Sequence, residues 1–149
     1  MFNRIYVPID NSDISDKVLQ EAIKLAKSST AKLRIAHVVN LEQITFGIEM
    51  VGVAELKDAL LSIGQSLIDK VKLQLATAGV DAEVKLIENF GSEMSALVAE
   101  DAKEFGAELF ILGSHHLGSF SHFITGGIAE DLAKETEVPI LLITKHKQK

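Results

Sequence analysis

Five short apolar runs alternate with four longer amphipathic stretches along the chain, and this alternation restricts the fold more than any other feature. Ile5 to Ile9, Ala31 to Val39, Val80 to Glu88, Leu109 to Leu112 and Pro139 to Ile143 read as strands. A helix between two strands is long enough to carry the chain over the sheet, so each strand is expected to lie parallel to a neighbour through a right-handed crossover. The class is α/β, a doubly wound parallel sheet with helices on both faces. At 149 residues, 47% of them hydrophobic, the chain fits a single domain spanning 1–149.

The helical stretches carry their own start and stop signals. Asp10-Asn11-Ser12-Asp13 offers turn chemistry and an N-cap before a helix whose Ile14, Val18, Ala22, Leu25 and Ala26 recur at three or four residues. The second pattern runs from Val53 to Ala78 with Leu56, Leu60, Ile63, Leu67, Val71 and Leu75 as its inner stripe, and Gly79 stops it. Gly64 interrupts that stripe, and close packing against a neighbour or a slight bend accounts for it. Gly91-Ser92 opens a third helix with Met94, Leu97, Val98, Ala102 and Phe105 inside. The segment Asn40 to Gly52 is long for a connection, and its Ile44, Phe46, Ile48 and Met50 suit either a lid or partner surface, or a loop packed over the sheet edge.

Charge and cysteine content exclude several functions. Fifteen basic residues against twenty-one acidic ones give a net charge of −6, and no basic run is long enough to neutralise a nucleic-acid backbone. The tail Lys145-His146-Lys147-Gln148-Lys149 reads as a solvated terminus. Without cysteine there is no disulfide framework, thiolate metal site or cysteine nucleophile. No apolar run approaches the ~18 residues of a membrane span, and no leader pattern precedes the first strand. A cytoplasmic protein is expected.

In doubly wound sheets ligands bind beyond the carboxyl ends of the strands where the strand order reverses, which here brings together the loops after strands one and four. The first is Asp10 to Asp13. The second, Gly113 to Gly127, carries glycines that let backbone N–H groups approach an anion, with a helix N-terminus following. His115, His116 and His122 lack a carboxylate or cysteine at ligand spacing, so no metal site is expected. The serines of the same loop, Ser114, Ser119 and Ser121, sit in no nucleophile elbow, and no catalytic base stands out.

The chain resembles the universal stress protein family over its whole length. Val7-Pro8-Ile9-Asp10-Asn11-Ser12 is similar to the family's V-P-x-D-x-S, His37-Val38 to its H-V, and Gly91-Ser92 to its G-x at the third helix. Leu112-Gly113-Ser114-His115-His116-Leu117-Gly118, Gly126-Gly127-Ile128-Ala129 and Val138-Pro139-Ile140-Leu141-Leu142-Ile143 resemble its carboxyl-terminal third. The resemblance implies strand order 3-2-1-4-5, the adenine-nucleotide alpha-hydrolase-like arrangement. It also implies a site in which Pro8 and Asp10 border adenine and ribose, Val38 contacts the base, and Gly113, His115, Gly126, Gly127 and Ile128 surround the phosphates.

Nucleotide-binding members carry G-x-x-G, nine residues, then G followed by Ser or Thr. Here Gly113 and Gly126 match, while His116 replaces the second glycine and Gly127 the hydroxyl residue. Histidine adds bulk where the chain would approach phosphates and tolerates positive φ less well than glycine. Weak binding of ATP or AMP is therefore expected, with Mg2+ accompanying ATP, and at most slow ATP hydrolysis. The alternative is a stress-response scaffold without nucleotide, a homodimer joined through the last strand, Pro139 to Ile143. A nucleotidyltransferase lacks its H-x-G-H here, and a phospho-acceptor receiver lacks an aspartate after strand three, which ends Glu88-Asn89-Phe90.

Overall fold

The computed structural model describes residues 2–42, 52–114 and 128–144. Strands β1 (Arg4–Ile9), β2 (Lys32–Asn40), β3 (Ala82–Asn89), β4 (Leu109–Gly113) and β5 (Ile140–Ile143) form one all-parallel sheet in the order β3-β2-β1-β4-β5. Helices α1 (Asp13–Ser29), α2 (Val53–Ala78), α3 (Met94–Phe105) and α4 (Ile128–Glu135) alternate with them. The doubly wound α/β expectation holds in every strand pairing. Residues 43–51 of the Asn40 to Gly52 segment lie outside the described residues, so neither reading of that segment is decided.

Period-two alternation sends the two sides of each strand into different cores. Ile5, Val7, Ile9, Leu33, Ile35, Leu109 and Ile111 pack with α1 and α2, whereas Tyr6, Ala36, Phe110 and Leu112 pack with α3 and α4. Because β1 lies at the centre, buried on both faces, it reads as a continuous apolar run.

Helix α2 begins and ends where its sequence indicates, with Gly79 in the left-handed conformation at φ 72°. Its inner face matches the expected stripe at Val71 and Leu75 but departs from it toward the amino end. Gly64, Ile68, Val71 and Leu75 are buried, while Leu56 and Ile63 stand 47% and 57% exposed. The expected positions lie about 3.8 residues apart on average against 3.6 per helical turn, so the stripe from Leu56 to Leu75 winds off the core face.

Gly64 fixes which face is inward. A Cβ placed there would lie 2.7 Å from Val39 Cγ2 and 3.1 Å from Leu86 Cδ1, so the helix backbone rests directly on β2 and β3. The close-packing reading of this glycine is correct. Gly64→Ala gains about 1 kcal/mol of helix propensity but must displace a stiff β-branched neighbour. Overpacking costs about 1–3 kcal/mol, so chemical denaturation is expected to show a net loss of stability; an unchanged or raised midpoint would contradict the packing.

Helix α3 begins at Met94 with Glu93 as its N-cap, two residues beyond the Gly91-Ser92 start expected from sequence. Those two residues instead form a turn held by Asn89. Its Oδ1 accepts the N–H groups of Gly91 (3.0 Å) and Ser92 (2.8 Å), and its Nδ2 donates to Asn40 Oδ1 at 2.8 Å.

A polar cluster anchors α3 to the sheet. Asp101, 7% exposed, accepts the Tyr6 hydroxyl at 2.6 Å, Arg34 Nη1 at 3.0 Å and Lys85 Nζ. Arg34 also bonds Glu83, and its guanidinium stacks 4.8 Å from the centre of the Phe105 ring. Burial alone would raise the Asp101 pKa, but hydrogen bonds from Lys85 and Tyr6, with the charges of Lys85 and Arg34, hold it below the usual carboxylate range. Burial, the Asp101 hydrogen bond and its charge push the Tyr6 phenol far above its ordinary value.

Candidate functional site

With all five strands parallel, their carboxyl ends share one edge of the sheet. The connections from β1 to β2 and β3 proceed one way and those to β4 and β5 the other, so the order reverses between β1 and β4. The pairing of these strands shows the consequence. β1 pairs with β2 from Arg4 through Ile9, but with β4 only at Ile5–Leu109 and Tyr6–Phe110. Pro8 has no N–H to continue a ladder, and a proline inside a central strand marks a break in pairing. The two strands therefore part where β1 passes from Tyr6 to Pro8, the place at which sheets of this topology form a ligand crevice.

Asp10 follows β1 and closes a tight turn into α1. Its Oδ1 accepts the Ser12 N–H at 2.9 Å, the Ser15 hydroxyl at 2.9 Å and the Ser12 hydroxyl. The Asp10 N–H in turn donates to Ser15 Oγ at 3.0 Å. Ser12 occupies the N-cap position, yet its hydroxyl turns toward Asp10 instead of capping α1. Asp10 is thus a turn carboxylate in its own right, held beside the crevice by α1's first residues.

The other expected site residues are distributed around this turn. Pro8 is buried in β1 and registers with Ala36 of β2. Val38, half-buried, registers with Ile87 and packs on the α3 side of the sheet. Gly113 is the buried last residue of β4, and Ile128, 8% exposed, opens α4 against the same cluster as Leu112. Topology brings Asp10, Val38 and Gly113 to one edge, on β1 and on the strands either side of it. His115, Gly126 and Gly127 lie outside the described residues, as do His116 and His122.

Two cavities border this edge without matching a mononucleotide. One of about 160 Å³ adjoins Asp10 but is walled by α1 through Asp16 and Leu19 and by α2 through Leu67, Lys70, Val71 and Gln74, and small-molecule sites run to about 300 Å³ or more. A larger one of about 580 Å³ lies between β3 and α3, where Glu88, Glu100, Asp101 and Glu104 outnumber Lys85 and Lys103. That lining repels a phosphate. Among the described residues no three His, Asp or Glu side chains gather to hold a metal ion.

Two residues that brace the turn after β1 were not assigned to the site from the sequence, although His37 stands in the H-V motif. Ser15 supports Asp10 from one helical turn away, and the spacing Asp10, Ser12, Ser15 carried that signal. His37 is buried at 9% exposure and bonds the Ile9 carbonyl through Nδ1 at 3.0 Å. That contact spans β1 and β2, so it depends on a register that spacing along one chain does not reveal.

Comparison with known proteins agrees with this architecture. The model of the family described as "Universal stress protein family" matches residues 1–144. The universal stress protein YxiE of Bacillus subtilis is 27% identical over 151 residues, covering 96% of this chain and 99% of the relative. A universal stress protein from Archaeoglobus fulgidus, solved in complex with dAMP, superposes with a TM-score of 0.69 at 19% identity, covering 95% of this chain and 97% of that one. Another, solved in complex with cAMP, gives 0.66 at 19% identity, covering 96% and 97%. The chain belongs to the universal stress protein family.

Proposed function

We propose that the chain is a regulatory, non-catalytic module that binds an adenine mononucleotide weakly at the crevice between β1 and β4. In this reading Pro8, Asp10 and Val38 would border the nucleoside, and Gly113 and Ile128, joined through the family resemblance by His115, Gly126 and Gly127, would bind the phosphate. The observation that carries this reading is the early parting of β1 from β4 beside a braced aspartate. The dAMP and cAMP complexes of proteins with this fold support the ligand class. His116 and Gly127 weaken the phosphate side, and Asp13 and Asp16 add negative charge in the first turn of α1. AMP is therefore favoured over ATP, and ATP would require Mg2+ to offset its charge.

Calorimetric titration with AMP, and with ATP in the presence and absence of magnesium, tests the reading. One-site binding weaker than about 10 μM is expected, tighter for AMP than for magnesium-free ATP. Absence of heat for every ligand would overturn the proposal.

A second reading, the homodimeric scaffold, draws on β5. This edge strand is apolar throughout and leaves Leu141 42% exposed. Sedimentation of wild type against Leu141→Lys distinguishes the two: a dimer that dissociates in the variant and ignores AMP favours the scaffold.

A further inference from the structure

We infer that His37 is a positioning residue of the crevice between β1 and β4: together with Ser15 it clamps the peptide joining Ile9 to Asp10, and so sets the direction in which Asp10 meets the nucleoside. The inference rests on the nucleotide-binding reading. Ile9 and His37 are register partners at the end of the β1–β2 ladder, where the chain leaves the sheet. A carbonyl only accepts hydrogen bonds, so His37 Nδ1 carries the proton and donates to Ile9 O at 3.0 Å. The N–H of that same planar peptide belongs to Asp10 and donates to Ser15 Oγ at 3.0 Å. Rotating the peptide would break both bonds together.

The ring is itself held from above. A Cβ on Gly64 would stand 3.6 Å from His37 Cδ2, which places the backbone of α2 against the imidazole edge. Packing alone does not call for histidine at this position. Its neighbours in the core, Ile35 and Val39, are aliphatic, and a phenylalanine would fill comparable space without burying a polar ring. What an apolar residue cannot supply is the donor for the Ile9 carbonyl.

Two variants separate the donor from the volume. His37→Phe keeps the ring and removes the donor; His37→Asn loses the ring and keeps an N–H on Cγ, close to where Nδ1 sits. Affinity for AMP is expected to fall about tenfold in His37→Phe and to stay within about threefold of wild type in His37→Asn. Thermal stability is expected in the opposite order, with the asparagine variant the less stable because of its cavity. Amide hydrogen exchange at Asp10 without nucleotide is expected to accelerate in His37→Phe and in Ser15→Ala but not in His37→Asn. Affinity that simply tracks stability across the variants would overturn the inference, as would unchanged Asp10 exchange in His37→Phe. If wild type binds no nucleotide, the functional reading falls and Asp10 exchange alone decides whether His37 positions the turn.

Discussion

Asp101→Ala is expected to destabilise the fold by about 3 kcal/mol, the scale for removing one partner of a buried charged pair. The carboxylate holds the Tyr6 hydroxyl, Arg34 and Lys85, so its loss leaves a fully buried phenol without its acceptor and takes one partner from a largely buried guanidinium that keeps Glu83. Lys85 is 43% exposed and regains water, so its share of the loss is small. Equilibrium denaturation of Asp101→Ala, Tyr6→Phe and the double variant would show coupling between the two sites, because Asp101→Ala leaves the buried Tyr6 hydroxyl without its acceptor and Tyr6→Phe takes one of three donors from the carboxylate. Additive effects would contradict the network.

The same cluster predicts a pH dependence. The Asp101 pKa is lower in the folded chain than the unfolded value of about 3.9, so the folded state favours the ionised form. That stabilisation is fully present above the unfolded pKa and is lost as pH falls through the folded one. The stability advantage of wild type over Asp101→Asn should therefore shrink as the medium is acidified below about pH 4. An advantage independent of pH across that range would contradict the assignment.

Asp10→Ala is expected to lower AMP affinity about tenfold or more, on the scale of about 1.5–3 kcal/mol for hydrogen bonds to a charged group. Two effects combine. The carboxylate is lost from the crevice, and the Ser12 and Ser15 groups it gathers are released, so the turn no longer presents its backbone in one conformation. The stability cost should be nearer 1 kcal/mol, since the turn is half-exposed and serine hydroxyls can bond water. Asp10→Asn keeps the oxygen that accepts these bonds but not the charge, so it should fall between wild type and alanine in a titration. Equal affinity in all three proteins would remove Asp10 from the site.

Strand and helix identities were legible because each rests on local signals: alternation, turn residues, and Gly79 ending α2. The inner face of α2 was legible only toward its carboxyl end, at Val71 and Leu75, because Gly64 orients the helix against Val39 and Leu86, residues from two different strands. Asp101 was equally hidden. In sequence it belongs to the charged stretch Glu100-Asp101-Ala102-Lys103-Glu104, which suggests a solvated helix surface, yet its partner Tyr6 is 95 residues away. Asp10's place in the turn after β1 was legible from its turn chemistry. The parting of β1 and β4 at Pro8 follows from the missing N–H, but only once the strand order makes β1 central.

A crystal structure of the chain grown with AMP locates the ligand. The nucleoside is expected between the carboxyl ends of β1 and β4, against Asp10 and Val38, with the phosphate directed toward the end of β4 and the start of α4. AMP seated in the groove between β3 and α3, or a crevice filled by side chains with AMP bound elsewhere, would contradict it.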